Sequence, residues 1–489
     1  MPTDSNASSR TELPGDLPQP LADRLVEHGQ THLVAHWDTL GPGQRERLGR
    51  QLEQIDFDQV AHLVGSLVTG DYSLATDAGA ARPPKSVERL PQTADDRARW
   101  TAATNRGLEK LAAGQVAAMV VAGGQGSRLG FEHPKGMFPI GPLSGKSLFQ
   151  LHLEQLDALS DRVQQRIPYF IMTSEATDAA TKAFLDEHEY FDYSPHDVYI
   201  FQQGWLPAVD SDGRILLAEP DRVATSPDGH GGMLRALHRS GLLEVMSDRG
   251  IETVYYHQVD NPTAILCDPT FVGLHDRHGS QMSTKVVAKI DAAEKMGVVV
   301  DVGGKTQIIE YSDLPDEKAA ETDDSGALRL WAGNTAIHCF EQSFFEALTA
   351  DGAPGLPYHR AHKKVPHIDV ATGEPVTPEQ PNAYKFEQFI FDAMPEAETA
   401  LVMEVDRARE FNPVKNAEGS DSPATAKAAL TRLHHEWIER AGSSIADGVT
   451  IEISPNYALN ATEVEERLGN GRRFEADEIL ELPHAHEAG

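Results

Sequence analysis

The sequence predicts an α/β fold built on a largely parallel sheet, and three observations carry that expectation. Past Leu108, short apolar runs alternate with stretches of helical periodicity. One of those runs ends in a glycine cluster, Gly123, Gly124, Gly126 and Gly130. The chain has 489 residues, more than one ordinary core accommodates, so two or three domains are expected. In parallel sheets ligands bind beyond the carboxyl ends of the strands, so motifs at strand ends carry the most weight.

The elements follow in order. The first 20 residues are polar and Pro-rich and read as a loose tail. Over 21–68 the apolar residues fall at helical spacing, as in Leu21, Leu25, Val26 and Leu33, with Gly41-Pro-Gly43 separating two helices. Residues 74–98 read as a linker or extended segment. Strands are predicted at 117–122, 169–173, 198–202 and 253–259, with helices at 148–159 and 176–188. Residues 284–312 carry strand-like runs, with Gly303-Gly304 as a hairpin turn. Residues 313–327 form an acidic surface loop. A strand at 401–405 and a helix at 423–435 precede a polar tail, HAHEAG, that contains His484 and His486.

Charge and composition narrow the function. With 43 Lys and Arg against 75 Asp and Glu, the net charge is −32. That argues against a nucleic-acid partner, which clustered cations would bind. A phosphate-bearing substrate would instead require cations gathered locally against an acidic background. Two cysteines, Cys267 and Cys339, provide neither a disulfide framework nor zinc-ligand spacing. The N-terminus lacks the apolar core of a signal peptide, and no apolar run approaches the ~18 residues of a membrane helix. A cytoplasmic protein without membrane association is expected.

Three phosphate-binding loops compete. Gly124-Gln-Gly126-Ser-Arg-Leu-Gly130 fails as a dinucleotide fingerprint because the third glycine comes one residue late, and no acid follows ~20 residues on. Gly141-Pro-Leu-Ser-Gly145-Lys-Ser147 is one residue short of a P-loop, and a turn with Ser147 near a helix N-cap is the simpler reading. The stretch from Val120 to Gly130 is a buried strand, a tight glycine turn and then a cation. Its glycines let the backbone approach a base or phosphate, and Arg128 and Lys135 bring mobile positive charge. One glycine loop alone would be a strand-to-helix turn with two solvated cations; four glycines and two cations after a buried strand favour function.

These residues resemble a known family. Gly123-Gly-Gln-Gly-Ser-Arg-Leu-Gly130 followed by Pro134-Lys-Gly-Met137 is similar to the signature of eukaryotic-type UDP-sugar pyrophosphorylases. The resemblance is greatest to the branch acting on N-acetylglucosamine and N-acetylgalactosamine. It continues through Phe201-Gln-Gln-Gly204, Pro227-Asp-Gly-His-Gly-Gly232, Val259-Asp-Asn261 and Ile309-Glu-Tyr311. Ala332-Gly-Asn334, Lys385-Phe-Glu-Gln-Phe-Ile-Phe391 and Phe411-Asn-Pro-Val-Lys-Asn416 complete it, so that it spans roughly residues 100–455 in order.

The resemblance implies a Rossmann-like, GT-A-like nucleotidyltransferase fold with a central mixed sheet flanked by helices. It implies a helical N-terminal region (1–112), a central domain with the sugar-binding part (113–400) and a small C-terminal domain (401–489) carrying Lys415. The implied reaction joins UTP and a sugar 1-phosphate by in-line attack on the α-phosphorus, with pyrophosphate leaving. Arg128, Lys135 and Lys415 are then the catalytic cations, and Asp260, at a strand end, holds Mg²⁺. Gly123, Gly124, Gln203, Gly229 and His230 contact the nucleotide. Glu310, Tyr311, Asn334, Phe389 and Phe391 take the sugar, with Phe389 and Phe391 on one face if they lie on a strand.

Two positions depart from the family pattern. His230 replaces the usual asparagine, and an imidazole matches one amide hydrogen bond but not a bidentate pair. Trp331 stands where asparagine or a smaller residue often precedes Ala-Gly-Asn334, beside the implied sugar pocket. A UDP-glucose or UDP-galactose pyrophosphorylase, a non-catalytic UDP-sugar-binding protein and a phosphotransferase using Lys146 are the rival readings. His359, His362 and His367 lack a cysteine or spaced carboxylate to complete a metal set, so a basic loop is expected there. His435-Glu-Trp-Ile-Glu439 lacks the second histidine of a zinc-protease motif and reads as one helix face. A monomer or weak homodimer is expected.

Overall fold

The computed structural model describes residues 13–70, 78–353, 355–469 and 471–482, which fall into two compact units. The smaller unit collects three separate stretches, 13–70, 204–232 and 356–390. Its helices Gln19–Glu27, Pro42–Gln54 and Phe57–Leu63 realise the expected helical region. Gly41 is the N-cap of the second and Pro42 its first residue, where a missing N–H costs nothing. Leu25, Leu33, Leu48 and Leu52 are fully buried, in one cluster with Val209 and Phe386. Residues 1–12 of the expected loose tail lie outside the described residues, but Leu17 is already buried in this core.

The larger unit holds a ten-stranded sheet. Its strands are β1 (Val87–Glu88), β2 (Val116–Val121), β3 (Tyr169–Thr173), β4 (Val198–Gln202) and β5 (Thr253–Gln258). They continue with β6 (Met282–Ala288), β7 (Val298–Val302), β8 (Lys305–Ile309), β9 (Ala332–Glu341) and β10 (Ala400–Glu404). The order is β1-β10-β6-β9-β5-β2-β3-β4, and the β7–β8 hairpin joins through β7 to β9. The sheet is mixed because β9 runs antiparallel to both β6 and β5. On one side of it β5, β2, β3 and β4 are mutually parallel, the arrangement the alternating pattern predicts.

Burial explains why these segments become strands. Val116, Ala117, Ala118, Met119 and Val120 of β2 are at most 1% exposed. A strand covered on both faces reads as a continuous apolar run, and each large side chain there contributes about 1.5–3 kcal/mol. The helix Leu148–Val163 packs Leu148, Phe149, Leu153 and Leu156 into the same core, and Ser147 caps it by accepting the Gln150 N–H at 3.1 Å. Gly303 and Gly304 (φ +62° and +91°) make the predicted hairpin turn, whose positive φ values exclude most side chains.

Three expectations need correction. The segment 74–98 is not only a linker: residues 71–77 lie outside the described residues, but Val87–Glu88 is a sheet strand and a helix runs from Ala94 to Ala112, capped by Thr93 and Asp96. The acidic loop at 313–327 contains a one-turn helix, Asp316–Ala319. The strand that opens the C-terminal stretch, β10, sits inside the large sheet between β1 and β6. Past it, Ile438, Ile451, Val464 and Phe474 form a separate small core. The HAHEAG tail lies outside the described residues. Among the described residues no helix is long and apolar enough to cross a membrane.

Candidate active site

The glycine loop leaves β2 and folds back on itself. Gly126 N–H donates to His133 O at 2.9 Å and Lys135 N–H to Gly124 O at 3.0 Å, so the second half of the loop pairs with the first. Arg128 sits exposed on the short turn Ser127–Leu129 and makes no ion pair among the described residues. At the base, Gly123 O accepts Ser174 Oγ at 2.8 Å, and a Cβ on Gly123 would stand 3.3 Å from Gln203 Nε2. The structure thus brings Gly123 and Gln203 together at the carboxyl ends of β2, β3 and β4. Gly124 is exposed beside them.

The second half of the loop aims Lys135 at Asp260. The two are 3.1 Å apart (Nζ to Oδ2), and both are largely buried. Asp260 follows the end of β5, as predicted, and its carbonyl accepts the Val414 N–H at 2.8 Å. That bond brings the 411–415 segment alongside. Lys415 Nζ lies 5.5 Å from the Phe411 ring centroid. A small cavity of about 40 Å³ is lined by Asp260, Asn334 and Lys415 together with Gln258, Ala336 and Phe411. Residues far apart in sequence therefore converge at one point of the larger unit.

Glu310 and Asn334 meet across Gly297. Asn334 N–H donates to Gly297 O at 2.8 Å, while a Cβ on Gly297 would stand 3.1 Å from Glu310 Oε1. Asn334 Oδ1 also accepts the Ala336 N–H at 3.0 Å. Tyr311 is 47% exposed. Trp331 presents its ring to the Arg89 guanidinium at 4.0 Å and does not line the cavity.

Phe389 and Phe391 do not share a strand face. The strand Ala383–Gln388 ends before Phe389, and Phe391 lies in the 3₁₀ turn Ile390–Glu396. Phe391 belongs to the larger unit, buried against its core, and Phe389 to the smaller. The aromatic pattern was core packing on one side and ring stacking on the other. Within the smaller unit, Phe389 stacks on His230 (5.3 Å between centroids) and on His359 (4.7 Å). His230 Nδ1 accepts the Ile390 N–H at 3.1 Å, a bond an asparagine could also make. Burial and the nearby His359 hold the His230 imidazole down at about 4, so it is neutral at pH 7. Gly229 beside it has φ +85°, and a Cβ there would lie 2.3 Å from Gln388 O, so only glycine fits.

The remaining histidines have structural surroundings. His359 and His362 lie on a regular strand, Tyr358–Lys363, not in a loop, and His362 stacks on Tyr384 at 4.5 Å. The motif from His435 to Glu439 lies within the helix Pro423–Arg440. Lys146 is spent on protein carboxylates: its Nζ is 2.9 Å from Glu154 and 2.5 Å from Glu481. Residues given no role by the sequence reading include Asn261 and Gly297. Asn261 is 4% exposed and its Nδ2 donates to Glu410 O at 2.7 Å. An amide following an acid at the end of a buried strand was the available signal for it.

Comparison with known proteins fits this geometry. The family described as UTP–glucose-1-phosphate uridylyltransferase matches residues 84–480. The chain belongs to that family. It is 39% identical to a UDP-N-acetylglucosamine pyrophosphorylase of Saccharomyces cerevisiae over 447 residues, 88% of this chain and 93% of the relative. It is 35% identical to UDP-N-acetylglucosamine diphosphorylase 2 of Arabidopsis thaliana over 494 residues, 95% of this chain and 96% of the relative. Among solved structures, a uridine diphosphate N-acetylglucosamine pyrophosphorylase from Trypanosoma brucei in complex with inhibitor aligns with a TM-score of 0.80 at 26% identity, covering 94% of this chain and 98% of that one.

Proposed function

We propose that the protein is a UTP:N-acetylhexosamine-1-phosphate uridylyltransferase, making the UDP-sugar and pyrophosphate. The observation that carries this is the convergence of Asp260, Lys415 and Asn334 on one cavity in the larger unit, with Lys135 paired to Asp260. In-line attack of the sugar phosphate on the α-phosphorus of UTP needs no enzyme nucleophile. It needs positioning and neutralisation of developing negative charge. Lys135 and Arg128 take the triphosphate and leaving pyrophosphate, and Lys415 steadies the phosphate at the reacting centre. Gly123, Gly124 and Gln203 form the nucleotide end. Glu310 and Asn334 offer a carboxylate and an amide to sugar hydroxyls and an acetamido N–H.

Asp260 suits Mg²⁺. Among the described residues no group of three or more His, Cys, Asp or Glu could cage a metal. A single carboxylate completed by substrate phosphates is a donor set Mg²⁺ commonly takes, and Asp260 Oδ2 is turned toward the same Lys135 that serves the phosphates. When bound, Mg²⁺ would supply charge neutralisation between phosphate oxygens. The choice of an N-acetylated sugar follows the names of the yeast and Arabidopsis relatives.

The test is pyrophosphate release from UTP and Mg²⁺ with N-acetylglucosamine, N-acetylgalactosamine, glucose and galactose 1-phosphates in parallel. Turnover is expected with the N-acetyl sugars. Preference for glucose or galactose 1-phosphate would overturn the sugar assignment. Uridine-nucleotide binding without release from any sugar would leave a UDP-sugar-binding protein instead.

A further inference from the structure

We propose that Lys285 is the positioning residue of this site: its ammonium, clasped by Asp268 and Glu410, sets the chain segments that carry Asp260 and Lys415, while its backbone carbonyl holds the one that carries Asn334. The inference rests on the proposed uridylyltransferase reading and adds to it residues that never touch substrate.

Lys285 lies in the middle of β6, a strand whose residues from Met282 to Val287 are all buried, and its side chain has no exposed surface. Nζ is 2.7 Å from Asp268 Oδ2 and 2.5 Å from Glu410 Oε2. Burial alone would lower the lysine pKa, but the two carboxylates carry it above its ordinary value, so the ammonium stays charged. A buried charge cluster is a poor source of stability, because hydrophobic side chains of the same volume usually serve at least as well. What such a cluster does supply is a fixed geometry among the elements that bear its members.

Those elements adjoin the walls of the cavity. Asp268 ends the segment that begins at Asp260, and it caps the helix Pro269–His278 by accepting the Thr270 N–H at 2.9 Å. Glu410 immediately precedes the Phe411–Lys415 segment, and its carbonyl accepts Asn261 Nδ2. Lys285 itself sits where the register of β6 against β9 shifts, between Thr284 and Val286. Its carbonyl accepts Thr335 Oγ1 at 2.8 Å, and the next residue, Ala336, holds a left-handed φ of +56° with its N–H on Asn334 Oδ1. Lys285 therefore ties together the stretches that line the cavity: its side chain, through Asp268 and Glu410, reaches those at 258–261 and 411–415, and its backbone carbonyl holds the one at 334–337.

Glu410→Gln tests this with little risk to folding. It preserves side-chain size and leaves Lys285 and Asp268 as a neutral pair. The expected result is a fall in kcat of more than about fivefold, with KM for UTP changed less than about threefold. In a Lys415→Ala background the same substitution is expected to cost clearly less than in wild type, because one of the groups that the ammonium positions is gone. A purely structural ion pair would lower the melting temperature and leave this coupling at zero. A kcat loss below about fivefold, or a loss undiminished without Lys415, overturns the inference. Asp268→Asn, which retains the helix cap and leaves the Lys285–Glu410 pair, is read by the same criteria if Glu410→Gln does not fold. Wild-type protein assayed alongside separates the two claims. No pyrophosphate release by wild type overturns the proposed function; wild-type turnover with an unaffected Glu410→Gln overturns only this inference.

Discussion

Two glycine-lysine loops lie within 30 residues of each other, and they use their lysines in opposite ways. The first, Gly123 to Lys135, closes on its own backbone and leaves Arg128 exposed and Lys135 on Asp260 at the cavity. The second, Gly141 to Ser147, wraps a carboxylate of the chain itself. Glu452 accepts the N–H groups of Leu143 and Ser144 at 2.7 and 2.8 Å and Ser144 Oγ at 2.6 Å, while Lys146 is buried on Glu154, Glu481 and Ser454. A turn of free backbone N–H groups attracts an anion. What decides between structure and chemistry is whether the protein supplies that anion internally. The second loop is already filled, and it fastens residues 452–481 to the helix Leu148–Val163.

That contrast can be broken by experiment. Lys135→Ala carries the largest expected effect: kcat falls by about 10²–10³, as for loss of one transition-state donor, a far larger change than the cost to urea unfolding of leaving Asp260 without its lysine. Lys146→Ala should do the reverse. Removing the cation leaves the buried Glu154 without its counter-charge, and breaking such a pair costs about 3–5 kcal/mol. Equilibrium unfolding should show that loss, with kcat per folded molecule close to wild type. Equal kcat losses in the two variants would erase the distinction between the loops. Arg128→Ala should be milder, about tenfold in kcat/KM for UTP, and smaller in high salt because the exposed cation is screened.

The smallest effect is expected outside both loops. Burial holds His230 at about 4, against an ordinary 6.5. Below pH 6.5 the unfolded chain takes up a proton that the folded chain declines. This contribution to stability is therefore intact above pH 6.5 and falls progressively as pH drops toward 4. His152 and His434, also buried, act in the same sense. His230→Asn should flatten the pH dependence of unfolding between pH 7 and 5 slightly, and leave turnover with the preferred sugar within about threefold.

Most of the sheet was legible because its strands are short apolar runs, and β2, β3 and β5 are buried on both faces. Tyr169–Thr173 and Val198–Gln202 match their predicted bounds, and β2 and β5 differ by a residue or less at each end. The two-residue β1 was not, since a pair such as Val87–Glu88 has no periodicity to detect. Nor was the smaller unit: nothing local in 204–232 or 356–390 announces that Val209 and Phe386 bury themselves with Leu25 and Leu48. In the site, Lys135 and Asp260 were readable from a glycine loop and a strand end. The placement of Phe389 and Phe391 was not, because apolar spacing reports burial and not which element ends between two residues. Lys285 leaves a trace in the sequence, a charge within the buried strand Met282–Ala288.

The interleaving of the chain sets a timetable for its synthesis. The first helices to leave the ribosome expose Leu25, Leu33, Leu48 and Leu52, whose burial partner Phe386 is translated more than 300 residues later. β1 waits longer still, since its sheet neighbour among the described residues is β10, at Ala400–Glu404. Contacts of such sequence separation form slowly, and apolar surface left waiting is a target for aggregation. The nascent chain therefore completes its earliest core only when Ile368 and Phe386 arrive, late in translation.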